Sequence, residues 1–247
     1  MKAVILAAGY ATRLYPLTKD KPKCLLTVGG KTLLDSLCEK LEKIEAIDEI
    51  IIVTNARFHR LLKDWAKRAS RRRPIDILND GTVSNETRLG AIGDFGLALE
   101  IKKIQSDTLL LAGDNLFDQD LKAFAQFAGA NRQAISIGVY DIGDPSKAAK
   151  KFGVIEIEKS GKVASIEEKP EHPQSSLIGM GVYFFPKHTL PLVTEYLHGP
   201  RAQDAPGHYI RWLFEKGALI FAFVFSGMWY DIGDLKALEE ANAHFKQ

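Results

Sequence analysis

The sequence has little sulfur and almost no charge bias. Its only cysteines, Cys24 and Cys38, have no CxxC spacing and no His-rich companion motif, which argues against a structural zinc site and a disulfide framework. Its 33 basic and 31 acidic residues leave +2, so no general field for nucleic acid is expected. No apolar run approaches a membrane span or a signal h-region. Met1-Lys2 leads at once into Ala3-Val4-Ile5-Leu6, and a cytoplasmic protein with no membrane partner is expected. Walker A and GxGxxG spacings are both absent. No Pro-, Gly- or Ser-rich linker and no internal repeat divides the 247 residues, which suit one large domain. No hexapeptide repeat follows, so no appended β-helix acyltransferase is expected. The one dense basic run, Arg71-Arg72-Arg73, reads as a solvated turn.

What is present is an alternation of apolar runs and helical patterns. KAVILAA, EIIIVTN, PIDILN and TLLLAGDN read as buried strands. Leu33, Leu34, Leu37, Leu41 and Ile44 have helical spacing, Phe58 to Arg68 reads as a helix, and so does Glu86 to Ile104 despite Gly90, Gly93 and Gly96. Such alternation implies a parallel sheet covered by helices on both faces. Near Ala134 the pattern changes. AISIGVY, FGVIEIE, KVASIEE and GMGVYFF follow closely, with Ser160-Gly161-Lys162 as a hairpin turn. Helices near Pro186 to Leu197 and His208 to Lys216, the strand ALIFAFVF and a last helix from Asp234 complete the chain. The expected fold is α/β, a Rossmann-like three-layer sandwich with a mixed, mainly parallel central sheet. Sites in open sheets of this kind lie beyond the carboxyl ends of the strands.

Four segments at strand ends carry chemistry. In LAAGYATRLYPLTKDKPK, Ala7-Ala8-Gly9 let backbone approach an anion, Arg13 can bridge phosphate oxygens, Lys23 can place a point charge, and Pro16 and Pro22 stiffen the loop. A plain surface loop is the competing reading. Asp114, after TLLLAG, suits Mg²⁺, which takes few protein carboxylates; a turn or helix-cap Asp is the alternative. In SIEEKP, Lys169 can hold an anionic group and Glu168 can accept from hydroxyls, unless this is only an exposed strand end. In MWYDIGD, Asp231 is either a second carboxylate for the same metal or, with Asp234, a cap for the last helix.

These segments, in this order, resemble the sugar-1-phosphate nucleotidylyltransferase family. The matching residues are Gly9 to Leu14, Pro16-Leu17-Thr18, Pro22-Lys23, Gly113-Asp114-Asn115, Phe152-Gly153-Val154, Glu167-Glu168-Lys169-Pro170, Gly181-Val182-Tyr183 and Trp229-Tyr230-Asp231-Ile232-Gly233. The likeness runs from Lys2 to about Leu238. It implies a single nucleotidyltransferase domain, with a nucleotide-binding half over 1–131 and a sugar-phosphate-binding half over 132–247. It also implies transfer of a nucleoside monophosphate from a nucleoside triphosphate, a pyrimidine being favoured, to a sugar 1-phosphate with release of pyrophosphate. Asp114 and Asp231 would hold Mg²⁺. Arg13 would neutralise the leaving pyrophosphate and Lys23 would steady the phosphates. Leu6, Ala7, Ala8, Gly9 and Thr12, with Asn79 and Asn85, would contact the nucleotide. Lys169 would receive the acceptor's phosphate, and Glu168, Gly153 and Gly181 its sugar.

Two departures stand out. Where many members have glycine this chain has Ala11, whose Cβ disfavours left-handed backbone, so a negative φ is expected. After the third strand it has LNDGTVSNETRLGAIGD in place of the usual base-reading segment. Asn79-Asp80 and Asn85 there look more like a CTP-dependent cytidylyltransferase acting on choline phosphate. A non-catalytic nucleotide-sensing subunit, and a glycosyltransferase using Asp118-Gln119-Asp120 as a DxD, are further alternatives. The assembly is left open, a homodimer being compatible with the frequency of symmetric pairs.

Overall fold

The computed structural model describes residues 1–200 and 205–245. In chain order the first half holds β1 (Lys2–Leu6), β2 (Thr27–Val28), β3 (Lys31–Thr32), α1 (Leu33–Glu42), β4 (Glu49–Thr54), α2 (His59–Arg68), β5 (Ile75–Asn79), α3 (Ala91–Ile101), β6 (Thr108–Ala112), β7 (Asn115–Phe117) and α4 (Leu121–Ala130). The second holds β8 (Ile135–Asp141), β9 (Gly153–Ile157), β10 (Val163–Glu168), β11 (Leu177–Phe185), α5 (Pro191–Leu197), α6 (Pro206–Glu215), β12 (Ile220–Phe225), β13 (Trp229–Asp231) and α7 (Leu235–His244).

The main sheet runs β10-β9-β11-β6-β1-β4-β5, with β8 on β11 and β12 on β8. The β6-β1-β4-β5 set is parallel, while β11 is antiparallel to both β6 and β8. This is the mixed, mainly parallel sheet expected. Strand periodicity sorts its side chains to two faces. Val4, Ile51, Val53 and Leu110 enter one core with Phe95, Val193 and Tyr209. Ala3, Ile5, Ile50, Ile52 and Leu111 enter the other with Leu37, Leu62 and Phe124. No helix is long and apolar enough to cross a membrane, among the described residues.

Two expectations need correction, and one alternative loses its basis. The 86–104 helix is shorter, because Gly90 at φ 81° breaks it; Asn85–Thr87 form only a 3-10 turn before α3. The Arg71–Arg73 run is not merely solvated. The Arg71 side chain is 11% exposed and pairs with Asp35 of α1 beside the Trp65 ring, while Arg73 donates to the Glu45 carbonyl. Finally, Asp118 and Asp120 of the DxD run have structural tasks. Asp118 accepts from Met228 N at 2.9 Å, and Asp120 caps α4 and pairs with Lys43. Cys24 and Cys38 are buried and free.

Candidate active site

At the end of β1 the chain leaves the sheet between two parallel neighbours. Its backbone is held there: Ala7 N donates to Val53 O at 2.8 Å, Asn55 Nδ2 to Ala8 O at 2.8 Å and Gly113 N to Leu6 O at 2.9 Å. Buried Asn55 therefore sets the position of the loop, a role the sequence reading did not assign.

Ala11 does not take a negative φ; it is left-handed, with φ 47° and ψ 43°. Its carbonyl gives the reason. It accepts from Leu14 N at 3.0 Å and from Thr18 Oγ1 at 2.8 Å, and the resulting 3-10 turn over Thr12–Leu14 carries Arg13. Two hydrogen bonds offset a backbone penalty of roughly 1–2 kcal/mol.

The loop walls a cavity of about 430 Å³. Leu6, Ala7, Ala8, Gly9, Thr12, Arg13, Lys23 and Asn85 line it, as do Asp114 and, unforeseen, Arg88 and the buried Asp94. Asn79 is not in its wall. That side chain is exposed and accepts from Gly81 N at 3.0 Å in the turn after β5.

A second cavity of about 230 Å³ adjoins the first and shares Ala112, Asp114 and Pro206 with it. Gly153, Glu168, Lys169, Gly181 and Asp231 line this one. The Glu168 side chain, only 6% exposed, lies between two glycines. A Cβ on Gly153 would meet its Oε2 at 2.8 Å, and one on Gly207, at the start of α6, at 1.8 Å. Lys169 sits at φ 50° directly before Pro170, a strained backbone for that position, with its N donating to Phe152 O at 3.1 Å. Surrounding contacts must offset the cost of such a backbone.

Asp114 and Asp231 are distant in sequence and adjacent in space. β7 and β13 pair antiparallel, placing Asp231 opposite Asn115. Trp229 Nε1 donates to Asn115 Oδ1 at 3.1 Å, and Asn115 Nδ2 donates to the Met180 carbonyl, which ties this ribbon to β11. Lys23 Nζ then lies 2.6 Å from Asp114 Oδ2 and 3.7 Å from Asp231 Oδ1. Burial pushes the Asp231 carboxyl above its usual range, and the charge of Asp114 adds to the shift; Lys23 and Arg13 oppose it. Asp114 is not a helix cap, and the cap of α7 is Asp234, accepting from Ala237 N at 2.9 Å.

An open α/β sheet thus carries two joined cavities at its strand ends, with two carboxylates around one ammonium at their junction. Residues 2–247 match the family model described as nucleotidyl transferase, and the chain belongs to that family. Bifunctional protein GlmU of Methanocaldococcus jannaschii is 28% identical over 250 residues, covering 99% of this chain and 54% of that protein. Glucose-1-phosphate thymidylyltransferase of Streptomyces antibioticus is 31% identical over 245 residues, covering 98% of this chain and 65% of that one. The chain thus spans between half and two thirds of these relatives' lengths. The fold matches a crystal structure from Bacillus anthracis, provisionally assigned as a glucose-1-phosphate thymidylyltransferase and solved with sucrose. The TM-score is 0.81 at 24% identity, over 100% of this chain and 96% of that one.

Proposed function

We propose that the chain transfers a nucleoside monophosphate from a pyrimidine nucleoside triphosphate to a sugar 1-phosphate, forming a nucleoside-diphosphate sugar and pyrophosphate. The observation that carries this reading is the position of Asp114, which lines both cavities and lies against Lys23. A triphosphate lying along the first cavity brings its α-phosphorus to the junction. The acceptor, entering by the second, presents its phosphate oxygen there. That oxygen bonds to the α-phosphorus while the bond to the β-phosphate oxygen breaks. The acceptor is already an anionic nucleophile, so the work of the protein is alignment and charge neutralisation. Arg13 offers a planar fork to the departing phosphates. Lys23 holds the junction, Lys169 meets the acceptor's phosphate, and Glu168 accepts from its hydroxyls. The thymidylyl relative favours a pyrimidine base over the purine of an adenylyltransferase relative that aligns with 54% of this chain, and the base axis of the grid below tests that choice.

The residues fit a hard divalent ion. Two carboxylates share one ammonium, and Asp231 is pushed up by burial and by Asp114, so the pair carries more negative charge than Lys23 balances. Mg²⁺ suits such a pair because it fills the rest of its shell with water and phosphate oxygens. When bound by Asp114 and Asp231 it would supply neutralisation of the α-phosphate.

The test is pyrophosphate release with Mg²⁺ across a grid. UTP, dTTP, CTP, GTP and ATP form one axis; glucose, galactose, mannose and N-acetylglucosamine 1-phosphates and choline phosphate form the other. Release with a pyrimidine triphosphate and a sugar 1-phosphate is expected. Release only with CTP and choline phosphate would replace the acceptor class. Nucleotide binding with no release in any cell would overturn the enzymatic reading.

A further inference from the structure

The even net charge of the chain conceals an uneven distribution. Residues 57–73 hold eight basic residues and one acidic, while the other 230 residues hold 25 basic and 30 acidic. A protein of net +2 therefore carries +7 in this stretch and −5 in the rest. Most of the stretch is α2. Its Leu62 and Trp65 turn inward to the core beside β5. At about 100° per residue, Arg60, Leu61, Lys63, Asp64, Lys67 and Arg68 then share the opposite face.

The basic groups of that face are exposed and without counter-charge. Exposed Lys31, Lys43 and Lys150 each meet a carboxylate within 3.1 Å. Among the described residues, no carboxylate lies within ion-pair distance of Arg60, Lys63, Lys67 or Arg68; Arg68 Nε donates only to the Asp64 carbonyl, at 3.1 Å. The patch continues past both ends of α2. Arg57 donates to the Lys19 carbonyl and lies 3.9 Å from Asp20, which brings exposed Lys19 and Lys21 alongside. At the other end Arg72 is exposed, its backbone N held by Glu42 Oε1 at 2.7 Å.

Shape and composition select the occupant. The outer side of a helix is convex, and these residues line neither cavity, so a broad anionic surface suits them better than a small anion. Leu61 stands among the bases with 40% of its surface exposed. A basic helix face with an apolar side chain in it matches the boundary between lipid headgroups and acyl chains. Phe58 and Trp65 are buried, so this face offers no aromatic platform for the bases of single-stranded nucleic acid. We propose that the outer face of α2 is a docking surface for an anionic lipid bilayer, which holds the protein reversibly without being crossed. Arg60, Lys63, Lys67 and Arg68 meet the headgroup phosphates, and Leu61 reaches the first acyl carbons.

The test is co-sedimentation of the whole protein with vesicles of phosphatidylcholine alone, or of phosphatidylcholine with about one third phosphatidylglycerol. Binding to the anionic vesicles at low salt is expected, with release by about 0.5 M salt. Each basic group near such a surface contributes roughly fivefold in affinity, so Lys63→Glu with Lys67→Glu should weaken binding at least about tenfold. Leu61→Ser should weaken it by about threefold with the charge unchanged. Lys159→Glu with Lys162→Glu makes the same change of charge in the exposed turn between β9 and β10, at the far edge of the sheet, and should alter binding by no more than about twofold. Pyrophosphate release in solution should be unchanged in all three variants, which keeps this outcome separate from that of the proposed reaction. No binding to anionic vesicles at low salt, equal binding to phosphatidylcholine alone, or equal losses from the two charge reversals would overturn the proposal. Tighter binding to duplex DNA than to the vesicles would overturn it too, and give the face to nucleic acid.

Discussion

Asp114 has one neighbour of each sign, Lys23 at 2.6 Å and, across that ammonium, Asp231. Replacing it by Ala removes a ligand-side carboxylate from an open cleft, not from a core. We expect Asp114→Ala to lower kcat/KM at least about 100-fold while shifting Tm by only a few degrees, read by pyrophosphate release and calorimetry together. Asp231 makes a different prediction. Its folded-state pKa is raised, by burial first and by Asp114 second. The folded state therefore holds its proton more tightly than the unfolded state, and ligand-free stability rises as pH falls through that raised pKa. Asp231→Asn should remove this pH response and raise Tm at neutral pH while abolishing turnover; a lower Tm at neutral pH would contradict the assignment. At Ala11 the left-handed φ of 47° predicts that Ala11→Gly stabilises the protein by up to about 1 kcal/mol, relief of the Cβ penalty exceeding the entropy added to the unfolded chain. Chemical denaturation measures this directly. The residue types in this loop were legible from the sequence. Its backbone was not, because the bonds that turn Ala11 come from Leu14 and from Thr18.

Among elements, α1 and α2 are joined by a small polar knot. Asp35 accepts from Trp65 Nε1 at 3.3 Å and pairs with Arg71, and Thr32 caps α1 through Asp35 N at 3.0 Å. Removing the guanidinium leaves a half-buried carboxylate with fewer donors. Arg71→Ala should destabilise by roughly 2 kcal/mol, or several degrees in Tm, with catalysis per folded molecule unchanged. The basic run looked like a surface turn because composition reports charge, not the partner that meets it. The long apolar strands were legible because each opens on one polar residue followed by four apolar ones. α4 was passed over, its LKAFAQFAGA mixing small residues and a glycine into a weak helical signal. The β7–β13 ribbon was also missed. Three residues a side carry no periodicity, yet its register brings the two carboxylates together. Asn85 and Asn79 show the same limit, since equal chemistry in one loop ends inside and outside the cavity.

For the molecule as a whole, the amino pole carries an ion network. Lys102 reaches Glu49 at 2.6 Å and Asp76 at 2.9 Å, and Lys2 reaches Glu49 at 3.0 Å and Asp48 at 2.8 Å. Burial alone would raise the Glu49 carboxyl, but the bonds from Lys102 and Lys2 outweigh it and hold its pKa below the usual range. A depressed carboxyl contributes stability above its unfolded pKa, which is lost as pH falls through the folded value. Glu49→Gln should therefore lower Tm at neutral pH and flatten its acid limb; an unchanged limb would mean that the network contributes nothing. The ribbon at the other pole has a consequence for biosynthesis. A ribosome delivers the loop of β1 and Asp114 well before Trp229 to Asp231, whose ribbon closes on residues made much earlier. The growing chain thus has the β1 loop and Asp114 before it owns both carboxylates, while Gly233, which completes the wall of the first cavity, comes after Asp231. On the function proposed above, a chain arrested between Asp114 and Trp229 would therefore hold only one of the two carboxylates that the reaction needs.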